Sequence, residues 1–260
     1  CVTRRQRQMC IRDRITGASS GIGAATSRLF AENHIAVLLV GRRSSELIKN
    51  VEAIGSLATP FVCDLGNARA VQDMAHTIVR QHGVPDVIIN SAGGGAWKTL
   101  QATDVAEISC MVEAPFLSSL YVTKAFLPYL LRRDRGVIIH IGSPAAYIAW
   151  PSSVGYTATR AALRGLHEGL LQDLTNTGVR SCHVIFGKVD TPYFKVNQIA
   201  ASKIPWVTKL TPTLSPETCA KWILQVSRHP KPLTVLPFLV RISIAFSSLF
   251  PNMMRWIARL

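Results

Sequence analysis

The sequence predicts an α/β fold: a doubly wound parallel sheet of about seven strands with helices on both faces, in a single domain. Three observations predict it. Short apolar runs alternate with helical stretches from Ile15 onward, the pattern of successive βαβ units. A glycine-rich turn, Thr16 to Gly23, stands where a first strand would hand over to a first helix. The chain of 260 residues is 48% hydrophobic and 17% charged, enough apolar surface for one packed core and too little charge for disorder.

The first strand is the irregular one. A buried central strand reads as a near-continuous apolar run, yet this one would be Cys10-Ile11-Arg12-Asp13-Arg14-Ile15. Burying such charges unpaired costs on the order of several kcal/mol each. Residues 1–14 (CVTRRQRQMCIRDR) lack the apolar run of a secretory signal and resemble translated adapter or vector sequence; a genuine basic extension is the other reading. The expected organisation is a leader over 1–14, a core domain over 15–232 and a hydrophobic helical tail over 233–260.

The remaining elements follow in order. Ile35–Val40, Ala58–Cys63, Asp86–Asn90, Gly136–Gly142, Val179–Phe186 and Leu233–Leu236 read as strands. Gly21–Asn33, Ser45–Ile54, Ala68–His82, Ala114–Arg133, Tyr156–Thr177 and Pro216–Arg228 read as helices. Ser215-Pro216-Glu217 supplies a cap and a first turn for the last of them. Repeats and long linkers are absent.

The net charge of +14 is scattered in pairs such as Arg42-Arg43 and Arg132-Arg133. No aromatic-interleaved basic stripe accompanies it, so no nucleic-acid partner is expected. Six cysteines without a C-x-x-C pair suit a reducing compartment, and a cytoplasmic location is expected. Seven histidines form no ligand array, and no metal site is expected.

Thr16-Gly17-Ala18-Ser19-Ser20-Gly21-Ile22-Gly23 spaces its glycines for a tight turn against which a pyrophosphate can approach the backbone at a helix N-terminus. A plain strand–helix connection is the alternative. The residue after the second strand separates the two nicotinamide cofactors: an acid there holds the NAD ribose, an arginine accepts the NADP 2′-phosphate. Here the strand ends in Gly41-Arg42-Arg43, which favours NADP(H) and leaves NAD(H) second.

The turn has the form T-G-x-x-x-G-x-G. It is followed in order by Asp64, Asn90-Ser91-Ala92-Gly93, Ser143, Tyr156 and Gly187…Thr191. With these motifs the chain from Ile15 to about residue 230 resembles the short-chain dehydrogenase/reductase family. The resemblance implies a Rossmann-like fold and hydride transfer between a nicotinamide and a small carbonyl or alcohol substrate. It implies cofactor contacts from Gly17, Ser19, Ser20, Gly21, Ile22 and Gly23, with Arg42 gripping the 2′-phosphate and Arg43 or Ser19 assisting. Asp64 and Leu65 would lie beside the adenine. Asn90, Ala92 and Gly93 would pack against the cofactor, and Val189 and Thr191 would meet the nicotinamide end. A homodimer or homotetramer through Ala114–Arg133 and Tyr156–Thr177 is implied, Gly165 and Gly169 permitting close helix approach.

Carbonyl reduction needs a proton for the developing alkoxide. A tyrosine can deliver it when a neighbouring cation favours phenolate, and a nearby hydroxyl can polarise the substrate oxygen. Tyr156 and Ser143, thirteen positions apart, match those roles. Two family positions depart. The motif Y-x-x-x-K reads Tyr156-Thr157-Ala158-Thr159-Arg160, so the cation is a guanidinium that would support the phenolate and bond the nicotinamide ribose. The family's further asparagine falls on Pro115, which cannot hold a water, with Glu113 as the nearest polar neighbour. Three functions therefore stay open: an active NADP(H)-dependent oxidoreductase with an altered proton path, a cofactor-binding protein without turnover, and a membrane-peripheral scaffold.

Pro192–Thr213 would be a substrate lid. Its Tyr193, Phe194, Ile204 and Trp206, with Trp97 and Trp150 near other rim loops, point to an apolar substrate. The tail is strongly apolar from Leu236 to Phe250 but interrupted by Pro237, Arg241 and Pro251. It reads as a helix docked on the core or on a dimer partner, as an interfacial membrane contact through residues 237–260, or as a short spanning helix.

Overall fold

The computed structural model describes residues 12–193 and 210–258, with side chains from residue 17 onward. Seven parallel strands run β1 (Arg12–Thr16), β2 (Ala36–Gly41), β3 (Ala58–Val62), β4 (Val87–Asn90), β5 (Gly136–Gly142), β6 (Val179–Phe186) and β7 (Leu233–Leu236). Their order across the sheet is β3-β2-β1-β4-β5-β6-β7. The chain winds outward from β1 to β3, then returns to lay β4 against the other side of β1. That reversal opens a crevice at the carboxyl ends of β1 and β4, where ligands of such sheets bind.

Helices α1 (Gly21–Glu32), α2 (Ser44–Ile54), α3 (Ala68–His82), α4 (Val105–Val112), α5 (Ser118–Arg133), α6 (Val154–Asp173), α7 (Pro216–Arg228), α8 (Phe238–Leu249) and α9 (Pro251–Ile257) cover the sheet and its ends. Alternation along each strand divides the core. Val37, Leu39, Ile89, Ile139 and Val184 join Phe30 of α1 and Cys219 and Ile223 of α7 on one face. Leu38, Val40, Ile88 and Ile138 join Ile78 of α3, Val122 and Phe126 of α5 and Leu170 of α6 on the other. Both faces are dry, which is why these strands read as unbroken apolar runs.

Several element ends shift by one to four residues from the sequence reading, most at α6, which runs Val154–Asp173 and not Tyr156–Thr177, and the organisation differs at three places. The leader expected over 1–14 overlaps β1: Arg12, Asp13 and Arg14 pair with Ala36, Val37 and Leu38, and Asp13 and Arg14 pair again with Val87 and Ile88. A parallel ladder is made by backbone groups, and with β2 and β4 on either side the central strand is fixed whatever its side chains. Leu233–Leu236 is the last strand, as its sequence predicts, paired as β7 with His183–Phe186, so of the segment expected as tail only the part after residue 236 is helical. The helix expected over 114–133 is longer and interrupted. A π-helical turn, Glu113–Leu117, joins α4 to α5 and contains Pro115, whose missing N–H breaks the regular ladder. Of the lid segment 192–213, residues 194–209 lie outside the described residues.

Candidate active site

The turn after β1 can only be made of small residues. Gly17 has φ of +65°, and a Cβ there would stand 2.9 Å from backbone atoms of Ala92. A Cβ on Gly23 would stand 2.4 Å from the Gly17 carbonyl oxygen, so α1 starts flush against the turn. Ser20, in extended conformation at the head of α1, makes no side-chain cap of its own. Its hydroxyl instead accepts from Arg43 Nη2 at 2.8 Å, and Ser19 Oγ accepts from the same nitrogen at 3.0 Å. Arg42 lines the same cavity without a comparable anchor to the turn.

A single cavity of about 1220 Å³ brings nearly all the sequence-predicted residues together. That exceeds the ~300–1,000 Å³ of a pocket for one drug-sized ligand. Gly17, Ser19, Ser20, Gly21, Ile22, Arg42, Arg43, Asp64, Leu65, Ala92, Gly93, Ser143, Tyr156, Arg160, Val189 and Thr191 all line it. Two do not. Gly23 packs behind the turn, and Asn90 is buried beneath the floor. There Asn90 Nδ2 lies 3.4 Å from Thr123 Oγ1 and 3.3 Å from His140 Nδ1, tying β4 to α5 and β5. Glu113 also reaches the cavity, but its carboxylate stands beside the Asp64–Gly66 turn and not beside Tyr156.

Three side chains define the chemical end. Ser143 follows β5 and is held by an Ala145 N–H donating to its Oγ at 3.3 Å. Tyr156 sits in the first turn of α6 and Arg160 one turn later on the same face; each is only 7% exposed. The Arg160 guanidinium carbon stands 4.9 Å from the centre of the Tyr156 ring. Nη1 donates to the Ile141 carbonyl at 3.4 Å, and Nη2 lies against Gly93. Among the described residues no carboxylate pairs with this cation, and its Nε has no hydrogen-bond partner. A buried charge in that condition calls for a ligand to compensate it.

Aromatic rings surround Tyr156. Its ring centre lies 5.7 Å from that of Trp97, 6.4 Å from Trp150 and 6.2 Å from Tyr193, and the two tryptophans are 5.2 Å apart. Burial, then the proximity of Tyr156, pushes the Tyr193 hydroxyl far above the ordinary phenol range, so Tyr193 stays protonated. The far wall is the tail: Leu239, Val240, Phe246, Met254 and Ile257 of α8 and α9 face the cavity. Sequence reading noted the aromatic residues but not this wall, because a run apolar on all sides does not say which side meets a cavity. It also passed over His140, His167 and His183, buried behind the site. A histidine set among the apolar residues of each of two neighbouring strands, His140 of β5 and His183 of β6 in the same register position, was the available signal.

A family model described as short chain dehydrogenase matches residues 14–200. The chain belongs to the short-chain dehydrogenase family. Among curated relatives, an uncharacterized oxidoreductase of Staphylococcus aureus USA300 is 30% identical over 228 residues, spanning 87% of this chain and 95% of that one. Another, from Staphylococcus epidermidis RP62A, is 30% identical over 178 residues, 68% of this chain and 77% of its own. Among solved structures, a closed serine dehydrogenase complexed with NADP+ superposes with a TM-score of 0.80 at 25% identity, covering 87% and 94% of the two chains. A short-chain dehydrogenase/reductase of Burkholderia phymatum, at 18% identity and 94% and 95% coverage, shares the fold with a TM-score of 0.84. This dehydrogenase is therefore a nicotinamide-dependent oxidoreductase acting on a CH–OH group of a small molecule. Its residues fit the cofactor on their own geometry: a cradle at Gly17 that a Cβ would fill, an arginine at the second strand's end, and a buried guanidinium lacking an acid.

Proposed function

We propose that this dehydrogenase interconverts an apolar ketone or aldehyde with its alcohol, using NADP(H) in preference to NAD(H), with Tyr156 as the acid/base. The observation that carries the reading is the convergence of Ser143, Tyr156 and Arg160 on one cavity, the guanidinium stacked on the phenol ring. When bound, the nicotinamide supplies or accepts the hydride. The Ser143 hydroxyl holds the substrate oxygen beside the Tyr156 hydroxyl, which gives its proton to the alkoxide or takes it back. Arg160 keeps a positive charge next to the oxygens that become negative, and its remaining donors suit the nicotinamide ribose. Because a guanidinium does not release its proton at working pH, Arg160 acts as a fixed charge and not as a relay.

Arg43, anchored on Ser19 and Ser20, is the residue that supports NADP(H); Arg42 stands beside it. NADP in the serine dehydrogenase and 5-hydroxy-NADP in the alcohol dehydrogenase of Thermococcus sibiricus, itself 25% identical, support the same preference. Trp97, Trp150, Tyr193 and the α8–α9 wall support an apolar substrate. The open surface at Gly165 and Gly169 on α6 supports pairing of two copies through α5 and α6. A second reading, cofactor binding without turnover, is favoured by Pro115, whose ring offers no polar group where the family places one.

Tyr156→Phe separates the two. NADPH oxidation with a panel of apolar aldehydes and ketones is expected for the wild type, with a loss of at least about a hundredfold in the variant and unaltered NADPH binding. Normal turnover by Tyr156→Phe would end the mechanism, and no turnover by the wild type across the panel would establish the second reading.

A further inference from the structure

The last two helices carry apolar residues on the side that faces water. On α8, Val240 and Ile244 pack inward against Ile185, Val235, Tyr147 and Ile148. On the opposite side Phe238, Ile242, Ala245 and Leu249 recur at i, i+4, i+7 and i+11, and all four are exposed. Phe238 is 68% exposed, Leu249 73%, and Trp256 of α9 62%. A helix at a water-facing surface keeps polar residues on that stripe. Here Arg241 and Ser248 sit on one flank and Leu239 and Phe246 on the other, while Ser243 and Ser247 turn away from the stripe toward the protein. At 12 residues, about 18 Å, α8 is also too short to cross a bilayer, which removes the spanning alternative for this helix.

The charge along this part of the chain has one sign. From Thr218 to Leu260 the chain holds no Asp or Glu, against Lys221, Arg228, Lys231, Arg241, Arg255 and Arg259. Arg241 and Arg255 are both exposed, at positions from which an arginine can bury its stem and keep its head in the polar layer. A second copy seated on this face by a two-fold axis would set these arginines against each other with no acid on the tail to separate them. An anionic lipid surface meets both requirements together: hydrocarbon for Phe238, Leu249 and Trp256, phosphate for the arginines.

At Ile242 the stripe meets the rim of the cavity described above. Leu239 and Ile242 line the cavity and are nonetheless 45% and 48% exposed. Phe246 and Met254 continue the apolar surface inward. We propose that the outer face of α8 and α9 lies on an anionic bilayer, so that the cavity draws its carbonyl or alcohol substrate, a lipid-soluble molecule with a long apolar portion, from the membrane. The substrate half of this statement rests on the oxidoreductase reading above; the docking half does not.

The test is cosedimentation of the full chain with vesicles of phosphatidylcholine, with and without phosphatidylglycerol. Binding is expected to be at least about tenfold tighter on the anionic vesicles and to weaken with added salt. The triple variant Phe238→Ser, Leu249→Ser, Trp256→Ser touches no cavity-lining residue. It is expected to lose at least about tenfold in vesicle partitioning while keeping the wild-type melting profile and NADPH binding. Wild-type protein that stays in the supernatant, or a triple variant that sediments as the wild type does, would overturn the proposal. So would a triple variant that turns a dimer into a monomer without changing vesicle binding, because the face would then belong to a second copy. With NADPH, the triple variant is expected to slow on decanal dissolved in the vesicles but not on propanal in water. Equal rates on decanal would overturn membrane delivery. If neither aldehyde reacts even with wild-type protein, the apolar-carbonyl reading proposed above falls, and sedimentation still decides the docking.

Discussion

Arg43 is bonded to the loop after β1 and, in the function proposed above, also meets the cofactor phosphate. A single Nη2 serves the hydroxyls of Ser19 and Ser20, which leaves the rest of a five-donor fork for a phosphate entering the same cavity. The family resemblance implies Arg42 as the primary contact with Arg43 or Ser19 assisting; the hydrogen bonds to the glycine turn are the observation that supports Arg43 in the function proposed above. A charge-assisted hydrogen bond contributes roughly 1.5–3 kcal/mol, so Arg43→Asp is expected to raise the Kd for NADPH by about ten- to a hundredfold. The Kd for NADH should change less than about threefold, because NADH brings no 2′-phosphate. Fluorescence titration of both cofactors measures this. An equal loss for the two would reduce Arg43 to a brace for the turn.

At the scale of the element, α3 is the most self-contained piece of the fold. Asn67 Oδ1 accepts from the amides of Arg69 at 3.0 Å and Ala70 at 3.1 Å, and Gly83 closes the other end. Asn67→Ala is expected to cost about 1 kcal/mol, lowering Tm by roughly 2–4 °C in a chain of this size, with cofactor affinity unchanged. Such local signals are why Ala68–His82, Gly136–Gly142, Val179–Phe186 and Pro216–Arg228 could be bounded from sequence to the residue. The elements misread were those whose limits are set from outside. Charges at Arg12–Arg14 argue against a strand until β2 and β4 are in place on both sides. The α4–π–α5 run hides its start because Pro115, a helix breaker by local rules, is accommodated by a wider turn. There Ser118 and Ser119 donate back to the carbonyls of Ala114 and Pro115. The motif residues of the site were legible one by one; the tail as its far wall was not, since only tertiary packing brings residue 246 to the same cavity as residue 156.

Across the whole molecule, three buried histidines link the sheet to α6 close to Gly142 and Arg160. His140 and His183 face each other across β5 and β6, and the His167 ring lies 5.5 Å from that of His183 and 6.4 Å from that of His140. His167 Nδ1 is 2.8 Å from Ser181 Oγ, and no carboxylate pairs with any of the three among the described residues. Desolvation first, then the neighbouring histidines, lowers both His140 and His183 from 6.5 to about 3. For His183 the charges of Arg160 and Arg164 act in the same direction. In the unfolded chain each returns to about 6.5, so between these values the unfolded state binds more protons than the folded one. Stability is then full above pH 6.5 and falls as the pH drops toward 3, with a slope approaching ~1.4 kcal/mol per pH unit for each of the two. Urea unfolding between pH 7.5 and pH 5, a window above most carboxylate titration, measures that slope. Burial lowers His167 as well, so in His183→Phe the slope should drop by between about a third and a half, because one of these protonations is removed while the apolar layer is kept. A slope that persists unchanged in that variant would mean that other groups carry the acid sensitivity and that these rings take up protons in the folded protein.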